Sequence, residues 1–245
     1  VRPFIHFVSF TSPMSGNSLP LLCLAPMQDV TDLAFLRTIS SMDGADLYIT
    51  PYFRVVCHTD HLDPELARMI RENPTGRPIH AQLIGSDPDA LCRSAKILQK
   101  SFPIGGIDLN IGCPAPIVCR KEAGGGMLRN PRKLDCLLGR LREACTCPFS
   151  IKTRLGYEHP FEFEDLLPLF RKHHPDMLSI HARTVREGYH APVHIEFVQD
   201  AVACMPCPVI ANGNIVDVAT AMAWLHQTAP SGLMIGRAAI RHPWL

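Results

Sequence analysis

The sequence predicts an α/β fold, a closed (β/α)8 barrel of the TIM type, on three observations. Apolar runs of strand length recur eight times, each closing on a polar or Gly-containing turn; segments of helical period alternate with them; and no Gly-rich dinucleotide fingerprint opens the series. Alternating units imply parallel strands joined by helices, and eight of them in 245 residues suit one closed barrel better than an open sheet.

Residues 21–25 form the first strand, a continuous apolar run, followed by a helix over 31–42 and a strand over 46–50. Residues 54–75 read as partly helical and close on Pro and Gly. Strand 78–84 leads to helix 87–100, where Asp87 stands as a capping side chain before Pro88 at the first helical position. Strand 106–110 follows, and Asn130-Pro131 opens helix 131–144 with the same signal. Strand 149–153, helix 162–173, strand 177–181, helix 195–204, strand 208–212, helix 216–227 and strand 232–236 complete the series.

Composition excludes a disordered or fibrous chain, since 47% of residues are apolar and 19% charged. Lys and Arg number 24 against 23 Asp and Glu, so no global basic field announces a nucleic-acid binder. The ten cysteines lie scattered through apolar stretches without a small-domain framework, which predicts a reducing compartment and hence the cytoplasm. Cys204-Met-Pro-Cys207 has knuckle spacing, and Cys145 and Cys147 are close, yet no second suitable pair accompanies them. They read as buried, inert thiols, and no structural metal is expected. No run reaches the ~18 apolar residues of a membrane span. Residues 1–20 are apolar and Ser/Pro-rich with Arg2 alone as a basic group, and are expected to be a poorly ordered leader before a barrel over 21–245.

The carboxyl ends of the strands carry Ala25-Pro26-Met27-Gln28, Gln82, the stretch from Asn110 to Cys113, Lys152, His181, Asn212-Gly213-Asn214 and Gly236-Arg237, all expected at one mouth. A Lys, a His, a Gln and a Cys there exceed what a packed interior tolerates without partners. The last two turns fall after strands seven and eight, the usual phosphate seat of this fold, where Arg237 can add a charge-assisted bond. The plain alternative is that Gly213 and Gly236 serve tight turns only. Lys152, among neutral side chains, needs an anion, and a reduced flavin provides one, with Gln82 and His181 facing its edges. A structural Lys paired with a barrel carboxylate, and a His satisfied in the core, are the alternatives. Cys113 leaves strand four on a sharp turn over the mouth, and a thiol, mostly protonated at neutral pH, can donate a proton without tuning.

These residues sit in stretches that together resemble the tRNA-dihydrouridine synthase family: Leu24-Ala25-Pro26-Met27, Asp108-Leu109-Asn110-Ile111-Gly112-Cys113-Pro114, Ala123-Gly124-Gly125-Gly126-Met127-Leu128, Lys152-Thr153-Arg154-Leu155-Gly156, His181-Ala182-Arg183-Thr184, Val209-Ile210-Ala211-Asn212-Gly213-Asn214-Ile215 and Met234-Ile235-Gly236-Arg237. Each is weak alone; the ordered set, running across nearly the whole chain, is specific. The resemblance implies FMN as cofactor, NADPH or NADH as reductant, and the C5=C6 bond of a tRNA uridine as substrate. Hydride would reach C6 from the flavin and a proton would reach C5 from Cys113. It further implies that Pro26, Met27, Gln28, Gln82, Lys152, His181, Asn212, Gly213, Asn214, Gly236 and Arg237 hold FMN, while Asn110, Arg154 and Arg183 meet the uridine or its phosphates. Residues 183–190 are most similar to the bacterial subfamily acting in the D-loop at position 16.

A folded tRNA hides its bases, so the target must be extruded, and a basic surface around the mouth is expected from Arg54, His58, His61, Arg120, Lys121, Arg129, Arg132, Lys133, Arg186 and His190. No obligate protein partner is implied. The chain departs from the family pattern at Ala182, where Gly is usual, and at Pro51, where an acidic residue is frequent. Family members continue into a C-terminal helical domain, whereas this sequence stops at Leu245 where an eighth helix should begin. A barrel lacking that helix would expose apolar surface, so low stability or a covering partner is expected. The rival readings are an FMN barrel acting on a free pyrimidine and a noncatalytic RNA-binding barrel; the intact Cys113, Lys152 and phosphate turns argue against the second.

Overall fold

The computed structural model describes residues 19–57 and 62–243, so residues 1–18 of the expected leader, and His58 and His61, lie outside the described residues. In chain order the elements are β1 (Leu21–Leu24), α1 (Leu33–Ser40), β2 (Leu47–Ile49), β3 (Phe53–Arg54), α2 (Pro64–Glu72), β4 (Ile79–Ile84), α3 (Pro88–Ser101), β5 (Gly106–Ile111) and α4 (Pro116–Cys119). A 3-10 segment (Gly124–Arg129) precedes α5 (Pro131–Ala144), β6 (Phe149–Arg154), α6 (Glu162–Lys172), β7 (Met177–His181), α7 (Ile195–Cys204), β8 (Val209–Asn212), α8 (Val218–Thr228), β9 (Gly232–Ile235) and α9 (Ala238–Arg241).

The strands pair in parallel around a ring: β1 with β2 and β9, β2 with β4, and β4 through β9 each with the next. Eight parallel strands thus close into the predicted (β/α)8 barrel. The short β3 rides on the end of β4, with Phe53 opposite Leu83 and Arg54 opposite Ile84. Thr50 N donates to His80 O and Val55 N to Ile84 O, so β2 and β3 are one strand interrupted at Pro51, which has no N–H to give. The predicted strand 46–50 covers only the first part of it.

Helix starts follow the capping chemistry. Asp87 accepts from the N–H of Asp89 and Ala90, Asn130 from Lys133 N, and Asp63, before Pro64, from Glu65 and Leu66 N. Asp217 and Thr220 form a reciprocal capping box that sets the start of α8 at Val218, two residues after the predicted one. Helices 131–144 and 195–204 fall where the sequence puts them. Of residues 54–75, the helix takes only Pro64–Glu72. The α4 and 3-10 segments, both between β5 and α5, stand where the sequence reading places no element. After β9, α9 stands at the place of the eighth outer helix.

The period of two along each strand separates two interiors. Outward residues such as Leu83, Leu109, Ile151, Ile180 and Leu233 pack with Leu98, Leu138, Phe163 and Phe170 of the helices in the main core. Inward residues Cys23, Leu47, Ile49, Met177, Ile210 and Met234 form a separate apolar cluster. The lumen is therefore apolar mainly along β8, β9, β1 and β2. Along β4 to β7 it is lined instead by buried His80, Gln82, Asp108, Asn110, Ser150, Arg154, Ser179 and His181.

All ten cysteines are free, and Cys57, Cys136 and Cys204 are exposed rather than buried as read from sequence: Cys136 and Cys204 lie on the outer faces of helices, and Cys57 in the turn after β3. Among the described residues no group of three or more His, Cys, Asp and Glu could hold a metal ion, and no helix is long and apolar enough to cross a membrane.

Candidate active site

An unpaired buried polar group costs about 1–3 kcal/mol, so the polar half of the lumen must be satisfied from within. Apart from the Ser179 hydroxyl, it is. His80 Nδ1 lies 3.2 Å from Ser150 Oγ, which donates to Asp108 Oδ1 at 2.6 Å; Gln82 Nε2 donates to Asp108 Oδ2 at 2.7 Å. Asn110 Nδ2 donates to Gln82 Oε1 at 2.9 Å, and Asn110 Oδ1 accepts from the N–H of Gly112 and Cys113 at 3.1 and 2.9 Å. The parallel register makes this possible by setting Gln82 beside Asp108 and Asn110 beside Lys152.

Cys113 sits half-buried where this network ends, against Tyr52 and Ala115 on the apolar cluster of Ile84, Val118 and Ala123. Its carbonyl accepts from Gly125 N at 2.9 Å and from the Cys119 thiol at 3.4 Å. Burial, and then the neighbouring Cys113, push the Cys119 thiol up.

Lys152 reaches across the mouth to Asn212 Oδ1 at 3.3 Å, while Asn212 Nδ2 donates to Met234 O at 2.7 Å. Burial, and then the Arg154 guanidinium, push the Lys152 ammonium down to about 8. Ser179, opposite Lys152 in register, keeps a buried hydroxyl with no hydrogen-bond partner. His181 is driven far below its ordinary range by burial and by the charges of Arg154, Lys152, Arg183 and Arg237, and stays neutral. Arg183 Nη1 donates to His181 Nε2 at 3.1 Å, which leaves the ring proton on Nδ1.

Of the residues expected to meet substrate, Arg154 and Arg183 are each 1% exposed. Arg154 donates to the carbonyls of Gly112, Thr184 and Gly188, and Arg183 to Ala191 O and Asn214 Oδ1. They brace the Cys113 loop, the 184–191 segment and the turn after β8. Asn110 likewise spends its carbonyl on the Cys113 loop.

Between Arg154 and Arg237 the structure adds a residue within the 183–190 segment that the sequence reading does not single out. Tyr189 is 47% exposed, its ring 5.1 Å from the Arg154 guanidinium, 4.8 Å from that of Arg237 and 5.8 Å from the His181 ring. An exposed aromatic face flanked by cations can stack a base. Only an aromatic within a Gly- and His-containing loop marked it in sequence.

The last two turns adjoin this cluster. Gly213 has φ +132°, and a Cβ there would lie 2.9 Å from Val193 and 3.3 Å from His181, so only glycine fits; Trp224 Nε1 donates to its carbonyl at 2.9 Å. Asn214 and Arg237 are exposed, Gly236 half-buried. Pro26 and Met27 lie half-buried and Gln28 exposed in the turn after β1, held by Met27 N donating to Thr31 Oγ1 at 3.1 Å. The site thus gathers Lys152, Arg154, Arg183 and Arg237 in one mouth, and its buried Asp108 is already engaged by Gln82 and Ser150. That donor set fits an anionic, hydrogen-bond-accepting ring system carrying a phosphate, the features of a flavin mononucleotide.

Of the basic residues expected at the rim, all the described ones, Arg54, Arg120, Lys121, Arg129, Arg132, Lys133, Arg186 and His190, are exposed. Lys133 pairs with Glu122 and Arg186 with Glu158, and Arg129 lies over the Tyr157 ring.

Residues 23–245 match the family model described as Dihydrouridine synthase (Dus). The chain is 34% identical to the tRNA-dihydrouridine(16) synthase of Shewanella oneidensis, over 90% of this chain and 72% of that protein. It is 35% identical to the protein of the same name in Cupriavidus necator, over 91% of this chain and 71% of that one. Among solved structures it is similar to a BexX/CysO complex of Amycolatopsis orientalis (TM-score 0.60, 15% identity, 94% of this chain and 85% of that one). A variant of NCR from Zymomonas mobilis gives TM-score 0.61 at 13% identity, over 91% of this chain and 85% of that one. At such identities these two likenesses concern the fold alone.

Proposed function

The chain belongs to the dihydrouridine synthase family, and from that premise we propose that it reduces the C5=C6 bond of a tRNA uridine to 5,6-dihydrouridine, with bound FMN and with NADPH or NADH as reductant. The uridine is the one at position 16, after the names of the relatives. Residues 21–245 act as one catalytic barrel, in the cytoplasm. FMN, when bound, supplies the hydride that reaches C6.

The observation that carries this reading is that a half-buried Lys152 ammonium, whose hydrogen-bond partner is the neutral Asn212, shares one mouth with a thiol on a loop held by Asn110. Lys152 donates to an anionic flavin edge, Gln82 and the Nδ1–H of His181 offer further donors, and Pro26, Met27 and Gln28 wall the ring. Asn212, Gly213, Asn214, Gly236 and Arg237 form the phosphate seat. Cys113 gives the proton to C5. Asn110, Arg154 and Arg183 serve the uridine by fixing the loops around it, and Tyr189 offers its face to the extruded base.

The test is a visible spectrum of the purified protein followed by anaerobic NADPH and then unmodified tRNA. Flavin bands near ~450 nm should bleach with NADPH and recover with tRNA. Recovery with free uracil instead would sink the tRNA reading, and failure to bind FMN would leave a noncatalytic barrel. Cys113→Ala should keep FMN and tRNA binding yet slow the tRNA-dependent recovery by about 10²- to 10⁴-fold.

A further inference from the structure

Asp108 is fully buried on β5, two residues before Asn110 and on the same inward face. Its two oxygens accept from Ser150 Oγ and Gln82 Nε2 at 2.6 and 2.7 Å. Burial raises the carboxyl above its ordinary range, against the pull of the two donors and the Lys152 charge. With Asp108 Oδ2 accepting, Gln82 turns its NH2 to Asp108, which leaves Oε1 facing Asn110. Asn110 must then turn its NH2 to Gln82, which leaves Oδ1 facing the N–H groups of Gly112 and Cys113.

We propose that Asp108 is a positioning residue of the reaction: acting through Gln82 and Asn110, it fixes the direction of the hydrogen bonds that hold the Cys113 loop. The same direction leaves one N–H each on Gln82 and Asn110 as spare donors, suited to carbonyl oxygens rather than to N–H groups. Reversing the chain would set the Asn110 NH2 against two backbone N–H groups, and donors left facing donors are strongly disfavoured. Behind Asp108 the chain is anchored. Burial pushes His80 down to about 4, so its ring is neutral beside Ser150, and it packs on Gly106, where a Cβ would come within 2.8 Å of Nε2.

The inference rests on the reading that Cys113 delivers the proton, and its test separates the two. Alkylation of Cys113 by iodoacetamide, followed on its own peptide by mass spectrometry in FMN-free protein, reports the loop without any turnover. In FMN-loaded protein, bleaching by NADPH and recovery with tRNA report the two half-reactions. Asp108→Ala should change the Cys113 alkylation rate several-fold, leave bleaching within about twofold, and slow recovery by about 10²-fold, the scale of a small misplacement of a reacting group. Asp108→Asn can keep its carbonyl toward Gln82 and its NH2 toward Ser150, and should recover to within about tenfold of the parent. Unchanged alkylation and recovery in the Ala variant, equal slowing of both half-reactions, or an Asn variant no better than Ala would each overturn the proposal. Should the Ala variant not fold, Ser150→Ala, which strips one donor from Asp108, is expected to shift alkylation and slow recovery by about threefold with bleaching intact; no change in either overturns it. If tRNA fails to reoxidise even the parent, the functional reading falls, while alkylation still decides whether Asp108 holds the loop.

Discussion

Lys152 shows how one side chain ties the barrel's stability to its chemistry. Its ammonium titrates at about 8, far below the usual lysine value, because burial and Arg154 penalise the charge. Between about pH 8 and the ordinary lysine range the unfolded chain therefore holds more protons than the folded one, and this group makes FMN-free protein more stable as pH rises. Below about 8 both states are charged and the penalty is complete. Lys152→Met should accordingly melt above the parent at pH 7, with the gap narrowing toward pH 10, as followed by thermal denaturation of FMN-free protein. The same variant should bind FMN more weakly. In the parent, FMN affinity should decline above about pH 8, where the ammonium must first regain a proton. A Tm gap independent of pH would mean that Lys152 carries no such penalty.

Among the elements, the connection between β5 and α5 does most to place the thiol. The 3-10 segment packs against α4 so closely that a Cβ on Gly126 would meet Cys119 O at 2.5 Å and its Cα at 2.8 Å, both backbone atoms that cannot swing aside. Gly126→Ala should cost about 1–3 kcal/mol, the range for overpacking, visible as a lowered Tm. It should also slow tRNA-driven flavin recovery more than NADPH-driven bleaching, because Cys119 and the Cys113 carbonyl share this packing. Recovery at the parent rate in a destabilised variant would confine the segment to a structural role. The sequence made the eight strands and six of the outer helices legible, since period and caps are local signals. It made the strand-end residues legible for the same reason: in a parallel barrel every strand's carboxyl end faces one mouth. What it hid was tertiary. The β3 continuation depends on pairing with β4, and the 3-10 turn depends on a close approach of Gly126 to Cys119. The engagement of Arg154 and Arg183 by carbonyls of other segments, and the seat of Tyr189 between Arg154 and Arg237, arise only once distant loops meet.

For the molecule as a whole, a formal charge of +1 gives no long-range attraction for a polyanion. Any pull on tRNA must come from local groups, acting within about 8–10 Å at physiological salt. The candidates divide by their partners. Lys133 and Arg186 are held by Glu122 and Glu158, so their charge is largely cancelled at short range. Arg120 and Lys121, exposed beside the Cys113 loop, make no ion pair among the described residues and are the better phosphate contacts. Each phosphate contact contributes roughly one unit to the slope of log affinity against log salt. Reversing both charges, as Arg120→Glu with Lys121→Glu, should therefore make that slope shallower by about two and raise KM for tRNA by roughly tenfold or more near 0.1 M salt. FMN binding and NADPH-driven bleaching should not change, because neither side chain lines the flavin mouth. Lys133→Glu with Arg186→Glu, which breaks two ion pairs, should weaken tRNA less. If the two double variants lower affinity equally and leave the slope intact, the polyanion docks elsewhere on the barrel and the local-field account fails.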